Sequence, residues 1–237
     1  VIDNEVTGVN LGYSSAGYSS EYLDFLLGRL KRSGDNFLVL GLSPHSFTTD
    51  AAKNELYHQH LNTNKFDLFK GLYLSGYLKH LAPYKVSELR DLAFGTTEER
   101  YYEEFTENGW VKSYKTPEDS LKAIDIYENI FSKYQVEDSL VTNFLNEISK
   151  VTSSGVNVIA FRPPTFDMMA DLEDSLSGFD EAFMRTEMER RGCTWIDFNN
   201  SDFHTYDGSH LHYESAEKLS RVVGNQINNT LRRSTGE

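Results

Sequence analysis

The chain is poor in cysteine and in basic residues, and each shortage excludes a class of protein. Among its 237 residues there is one cysteine, Cys193. A single cysteine can form neither an internal disulfide nor a cysteine-based zinc site. Lysine and arginine number 23 against 36 aspartate and glutamate residues, so the formal net charge is −13. Because so acidic a surface repels phosphate backbones, no nucleic acid is expected as a partner.

The chain also lacks long hydrophobic runs, internal repeats and low-complexity tracts. No run reaches the length of about 18 apolar residues that a bilayer requires, so no membrane span is expected in this chain. Hydrophobic residues make up 39% and charged residues 25% of the sequence, an ordinary globular balance. The length suits one domain with a large core or one domain plus an insertion. The opening residues, VIDNEVTGVNLG, hold neither an initiator methionine nor a signal peptide, which predicts a longer gene product.

Short apolar runs alternate with amphipathic stretches over most of the chain. The apolar runs predict strands at 6–13, 36–43, 156–161 and 194–198. The amphipathic stretches predict helices at 21–32, 136–155, 179–192 and 214–231. This alternation predicts a parallel sheet with helices on both faces. From about 50 to 135 there are amphipathic stretches but no convincing strand, which predicts a helical insertion.

The loops after the predicted strands carry most of the polar chemistry. In a parallel sheet, ligands bind at the carboxyl ends of the strands. The loops that follow the four predicted strands read SSAGYSS, SPHSFTTD, RPPTFD and NNSDFHTYDGSHLH. We therefore expect four distant parts of the sequence to meet at one polar rim.

The last of these loops places one acid and two imidazoles within six residues. Asp207, His210 and His212 come just before the last predicted helix, with a glycine and a serine after the acid. Three interpretations compete: a catalytic acid–base pair, a metal site, and a polar loop that caps a helix. A turn at the Gly–Ser pair would bring Asp207 and His210 to the same rim. Nitrogen and oxygen ligands for zinc or manganese are available from His204, Asp207, His210 and His212.

The order of these pieces resembles the SGNH (GDSL-type) hydrolases. DGSHLH, between the last strand and the last helix, is similar to the D-x-x-H block of that family. VNLGYSSAG resembles its second block, and LVLGLSPHSF resembles its third strand end. VIAFRPP and WIDFNNSDFHTYDGSHL resemble the branch that acts on cell-surface polymers, which includes alginate and peptidoglycan O-acetylation proteins and the lipoteichoic acid D-alanylation protein. The likeness covers roughly residues 1–50 and 136–230.

The resemblance implies one SGNH-like domain over residues 1–237, with the helical insertion at about 50–135. The implied fold is a flavodoxin-like α/β sandwich with a central parallel sheet. The implied activity is that of a serine esterase or acyltransferase on ester-linked acyl groups, most of all acetyl groups, of a carbohydrate polymer, and it needs no cofactor. His210 would be the general base, and Asp207 would hold its imidazole in the productive tautomer. The branch also favours a location outside the cytoplasm, at the cell envelope.

The sequence departs from the family at the nucleophile. The family's serine follows the first strand, and this chain begins at or after that point. The nucleophile is therefore expected upstream of Val1, with Ser14 as a weak candidate inside the chain. The first strand would lie mid-sheet, between the strands predicted at 6–13 and 36–43, so about 20–30 further residues are expected before Val1.

The remaining rim residues are candidates for oxyanion stabilisation or substrate binding. The backbone N–H of Ser15 can stabilise an oxyanion, and Ser43 or His45 would replace an asparagine that the family often uses. Arg162 is either a solvated strand end or a cation aimed at the substrate. Two other functions stay open: a non-catalytic SGNH-like protein that binds or assembles a polysaccharide-modification system, and a metal-dependent hydrolase that uses the four-residue cluster.

Overall fold

The computed structural model describes residues 8, 10–12, 17–31, 34–54, 100–105 and 110–235. In chain order the elements are α1 (Ser20–Leu27), β1 (Phe37–Gly41), a 3-10 turn (Pro44–Phe47), α2 (Thr49–Ala52), β2 (Arg100–Phe105), β3 (Val111–Thr116), α3 (Lys122–Phe131), α4 (Asp138–Ser153), β4 (Asn157–Phe161), α5 (Asp167–Leu176), α6 (Glu181–Arg190), β5 (Thr194–Trp195), a second 3-10 turn (Asn200–Asp202) and α7 (Tyr213–Thr235). None of the helices in these ranges is both long enough and apolar enough to cross a bilayer.

Strands β1, β4 and β5 form a parallel sheet in the order β1-β4-β5. Leu38 lies opposite Val158 in the first pair, and Ile159 lies opposite Thr194 in the second. Strand β4 is therefore central, and four of its five residues are buried. This confirms a mixed α/β architecture with a parallel sheet.

Helices cover both faces of this sheet because successive side chains of a strand point to opposite sides. On one face, Leu38 and Leu40 of β1 join the larger core, to which α1, α4 and α6 contribute. On the other face, Ile159 and Phe161 of β4 pack against Val223 of α7. The predicted arrangement of helices on both faces is confirmed.

Most predicted elements are present, and most of them are shorter than predicted, although α7 extends beyond the predicted 214–231. Helix α1 begins after Ser19, whose hydroxyl accepts a hydrogen bond from the N–H of Tyr22 (3.2 Å), and it ends at Leu27 rather than at residue 32. Gly155 and Gly192 have φ of 86° and 80°, as expected for glycines that end α4 and α6. Strand β5 has two residues where five were predicted.

The prediction of a strand at 6–13 and of a wholly helical insertion needs correction. Residues 10–12 have no regular structure, and most of the rest of 6–13 lies outside the described residues. In the insertion, β2 and β3 form an antiparallel hairpin in which Tyr102 lies opposite Tyr114. Their rings stack with centroids 4.6 Å apart, a cross-strand contact that stabilises the pair. Residues 55–99 lie outside the described part of the chain.

Candidate active site

The loop between β5 and α7 is a tight hairpin with Asp207 and His210 at its tip. Thr205 bridges Leu211, and the Tyr206 N–H donates to the His210 carbonyl (3.0 Å). Gly208 has φ of 90°, a left-handed conformation that suits glycine. The reversal at Gly208 brings the acid and the imidazole side by side.

Asp207 accepts three hydrogen bonds, and two of them come from His210. One carboxylate oxygen, Oδ1, accepts from the backbone N–H groups of Ser209 (3.0 Å) and His210 (2.7 Å). The other, Oδ2, lies 2.8 Å from Nδ1 of the His210 ring. Because a carboxylate only accepts, Nδ1 carries the proton, and the neutral ring presents Nε2 as an acceptor. Within the described ranges, Nε2 has no hydrogen-bond partner.

The pair shifts the pKa values of both groups. The hydrogen bond to Asp207 raises the pKa of His210 above its ordinary value, against the opposing effect of burial. Burial alone would raise the pKa of Asp207, but the hydrogen bonds from the His210 ring and backbone lower it below the ordinary range. Asp207 is therefore ionised wherever His210 titrates, as a carboxylate that stabilises an imidazolium must be.

Three backbone hydrogen bonds from other elements fix the tip of the hairpin. The N–H of Asp119 donates to the Tyr206 carbonyl (3.1 Å), and the N–H of Ala123 donates to the Asp207 carbonyl (3.2 Å). The N–H of Phe166, just before α5, donates to the Gly208 carbonyl (3.0 Å). The start of α3 and the start of α5 thus hold the acid–base pair in place.

The pair lies at a large open cavity. The cavity has a volume of about 1710 Å³, and Ser43, His45, Asp207 and His210 are among the residues that line it. The loops after β1 and β5 therefore meet at one site, whereas none of residues 162–167, in the RPPTFD loop after β4, lines this cavity.

Ser43 and His45 line this cavity but already have partners. Ser43 Oγ lies 3.0 Å from Ser46 Oγ, and either hydroxyl can be the donor. The ring of His45 is buried, and its Nε2 lies 3.2 Å from Oδ2 of Asp50. These side chains form part of the cavity wall.

Arg162 belongs to an ion network rather than to the cavity. Its guanidinium binds the carboxylates of Glu173 (2.8 Å), Asp174 (2.7 Å) and Glu181 (3.0 Å), and its side chain is 11% exposed. Burial alone would lower the pKa of Arg162, but the three carboxylates raise it above the ordinary value. Arg162 is therefore neither a solvated strand end nor a free cation aimed at a substrate. It ties the end of β4 to α5 and α6.

The structure divides the four proposed metal ligands into separate groups. His204 Nε2 binds Oε2 of Glu118 at 2.7 Å rather than the carboxylate of Asp207. His212 Nδ1 lies 3.5 Å from the N–H of Glu214, at the start of α7. No three histidine, cysteine, aspartate or glutamate side chains converge on a common point in the described ranges, which include all four residues. The metal-site interpretation of this loop therefore finds no support in the described ranges, because the hairpin separates its tip from its base.

Ser14 and Ser15 lie outside the described residues, so their predicted roles stay predictions.

The sequence analysis missed the hairpin residues that line the cavity, namely Tyr101, Trp110 and Lys115. It also missed the stacking of Tyr206 on the His210 ring (5.8 Å between centroids, 10° between planes). A signal was present, because the dipeptide Asn108–Gly109 is typical of the turn of a β-hairpin.

Comparison with known proteins adds no relative. No family model, no curated protein and no solved structure matches this chain. The chemistry of the site is therefore argued from its own geometry.

Proposed function

We propose that this chain carries the acid–base pair of an SGNH-type serine esterase or acyltransferase. Its substrates would be ester-linked acyl groups, most of all acetyl groups, on a carbohydrate polymer. The observation that supports this best is the His210 ring, held at Nδ1 by Asp207 and left without a partner at Nε2 beside a large cavity. A neutral imidazole in that state can take a proton from a hydroxyl.

The proposed reaction has two half-reactions that use the same pair. A serine hydroxyl transfers its proton to His210 Nε2 while its oxygen bonds to the acyl carbon. The ester C–O bond then breaks, and His210 returns the proton to the sugar oxygen that leaves. Water or an acceptor hydroxyl repeats these steps on the acyl-enzyme and releases the serine. Asp207 stabilises the imidazolium that forms in each half-reaction.

The nucleophile is proposed to lie outside the described residues, upstream of Val1 or, less well supported, at Ser14. The resemblance to the SGNH family supports the upstream serine. No serine hydroxyl in the described ranges is hydrogen-bonded to His210 Nε2. Backbone N–H groups near Ser15 and Ser43 are proposed to stabilise the oxyanion.

The hairpin supplies surfaces that suit a sugar. Tyr101 and Trp110 line the cavity together with Lys115. Aromatic rings with a polar edge present an apolar face and a hydrogen-bonding group at once. We propose that Tyr101, which is exposed, stacks against the glycan.

The test compares two histidines of the same loop. His210 and His204 are both exposed (59% and 57%), and each is paired with a carboxylate, at 2.8 Å and 2.7 Å. His210→Ala should lower hydrolysis of p-nitrophenyl acetate and of an acetylated oligosaccharide by about 10²–10⁴-fold. His204→Ala, the matched control, should retain activity, and a chelator should change nothing. Equal losses in the two variants would contradict the assignment.

Labelling with a fluorophosphonate, followed by peptide mapping, locates the nucleophile. One labelled serine whose label depends on His210 would support the proposal. The assay needs the longest natural form of the protein, since the serine is proposed to lie upstream of Val1.

A non-catalytic role in binding or assembly is the second candidate. It is favoured by one observation: within the described ranges no hydroxyl is placed at Nε2 of His210. A binding protein should show neither label nor turnover yet retain an acetylated oligosaccharide in calorimetry. Tyr101→Ala should then weaken that binding while His210→Ala leaves it intact.

A further inference from the structure

Tyr206 and His210 face each other across the hairpin of the last loop. Thr205 bridges Leu211, and the N–H of Tyr206 donates to the His210 carbonyl, so Tyr206 lies directly opposite His210. Side chains of directly opposed residues lie on the same face of a hairpin. The two rings accordingly stack, with centroids 5.8 Å apart and 10° between their planes. This separation is within the range of about 4.5–7 Å in which aromatic rings attract each other.

The His210 ring has two contacts that restrict it in different ways. The side chain of His210 is 59% exposed, and an exposed imidazole that is bound at one nitrogen can still rotate. The hydrogen bond from Nδ1 to Asp207 (2.8 Å) anchors one edge of the ring. The Tyr206 ring lies against its face. Together the two contacts set the direction in which Nε2 points.

Tyr206 can restrain the histidine because other segments restrain Tyr206. Its side chain is buried, and the N–H of Asp119 donates to its carbonyl. The Tyr101 ring of β2 lies 5.9 Å from the Tyr206 ring, at 53° between planes. Ser113 of β3 lies opposite Glu103, so it shares a face of the β2–β3 hairpin with Tyr101. Burial raises the pKa of the Tyr206 hydroxyl, hydrogen bonding with Tyr101 raises it further, and hydrogen bonding with Ser113 lowers it.

We propose that Tyr206 is a positioning residue for the acid–base pair and that the β2–β3 hairpin braces it through Tyr101. Tyr206 fixes the plane of the His210 ring, and its π face also favours the imidazolium that forms when the base takes a proton. Because burial keeps its own hydroxyl protonated, Tyr206 transfers no proton itself. The resemblance to the SGNH family covers neither strand of this hairpin, so the role follows from the structure. The proposal rests on the proposed function in one respect, since it takes His210 as the base.

Titration of His210 by NMR in the 237-residue protein tests the proposal without any substrate. The hydrogen bond to Asp207 raises the pKa of His210 and burial opposes it. A ring that Tyr206 no longer holds should form a poorer hydrogen bond to Asp207 and should therefore titrate at lower pH. Tyr206→Leu should lower the midpoint and reduce the share of the Nδ1-protonated tautomer in ¹⁵N spectra. Tyr206→Phe keeps the ring and should retain both.

Two tyrosines of β2 separate the brace from the general effect of changing this hairpin. Tyr101 contacts Tyr206, whereas Tyr102 lies on the other face and stacks on Tyr114 (4.6 Å between centroids). Both β2 tyrosines are exposed, at 53% and 38%, so neither substitution should unfold the protein. Tyr101→Leu should lower the His210 midpoint in the same direction as Tyr206→Leu. Tyr102→Leu, the matched control, should leave the midpoint unchanged.

Kinetics of the longest natural form of the protein give a second readout. Tyr206→Leu should lower kcat for p-nitrophenyl acetate by about 10- to 100-fold with little change in KM, because Tyr206 contacts the base and not the ester. Tyr206→Phe should restore most of the rate. A merely structural residue would instead lower the yield of folded enzyme and leave the His210 titration of the folded fraction unchanged.

Two results would overturn the proposal. The first is a folded Tyr206→Leu variant that keeps the midpoint, the tautomer and the kcat of the parent. The second, which decides the question if Tyr206→Leu does not fold, is the same His210 midpoint in Tyr101→Leu and in Tyr102→Leu. A shifted midpoint in a protein without esterase turnover would contradict only the proposed function. Esterase turnover with an unshifted midpoint and an unchanged kcat in Tyr206→Leu would contradict only the positioning.

Discussion

Replacing Gly208 by alanine should destabilise the protein more than the same change at another left-handed glycine. Gly208 has φ of 90°, and a Cβ there would collide with the carbonyl oxygen of Ser120. The left-handed conformation alone costs a non-glycine residue about 1–2 kcal/mol. The collision adds to that cost because the Ser120 oxygen belongs to the backbone and cannot rotate away. We expect a total loss of about 2–4 kcal/mol in the free energy of unfolding.

Gly192→Ala is the matched control. Gly192 has φ of 80°, and a Cβ there would meet no atom within 4 Å. The free energy of unfolding of Gly192→Ala should decrease by only about 1–2 kcal/mol, which is the cost of the left-handed conformation. Equilibrium unfolding in urea measures both variants against the parent protein. Equal losses for the two alanine variants would refute the argument that the Ser120 carbonyl restricts position 208.

The same pair of variants reports on the site. In Gly208→Ala the tip of the hairpin must shift, so the contact between Asp207 and His210 should weaken and any esterase activity should fall. Gly192→Ala lies at the end of α6 and should leave both unchanged. An unshifted His210 titration in Gly208→Ala would show that the turn does not position the acid–base pair.

Three further perturbations follow from the geometry. In an NMR titration His210 should show a midpoint above about 6.5, and Asp207→Asn should lower it. The extra stability that comes from the charge on His210 should be complete between about pH 4 and pH 6.5, should decrease as pH rises through the raised His210 pKa, and should also decrease as pH falls through the lowered Asp207 pKa. Urea unfolding of the parent and of Asp207→Asn should therefore differ less in alkaline than in neutral solution. Phe144→Ala should cost about 3–5 kcal/mol in urea unfolding, because that ring is buried against Phe47 (centroids 5.2 Å apart). Arg162→Met should cost a similar amount, about 3–5 kcal/mol, because it leaves the buried carboxylate of Glu173 unpaired, and adding Glu173→Gln should recover part of that loss.

The acid–base pair was predictable because its geometry is local. Asp207 accepts hydrogen bonds from the backbone of residues two and three positions later, and Gly208 permits the reversal. The central sheet was predictable for a related reason, since apolar runs of strand length report burial wherever they occur. The location of the nucleophile and the choice of substrate stay predictions.

The contacts that were mispredicted join parts of the chain that lie far apart. His204 pairs with Glu118, 86 residues away, which separates it from the acid–base pair. Arg162 finds its carboxylates on α5 and α6, at positions that no local pattern links to β4. The hairpin was missed because its strands, RYYEEF and VKSYKT, lack a regular alternation of apolar and polar residues and lie in a segment that otherwise has helical periodicity.

The amino-acid sequence by itself determined the alternation of strands and helices, the acidic character and the pairing of Asp207 with His210, because each depends on composition or on neighbours within a few residues. Only the tertiary structure decided that His204 pairs with Glu118, that Arg162 is enclosed by carboxylates, and that β1 and His210 line the same cavity. Those features depend on the packing of segments that lie far apart in the sequence. The burial of apolar surface determines that packing, and polar groups then bond to the partners that lie within hydrogen-bond distance.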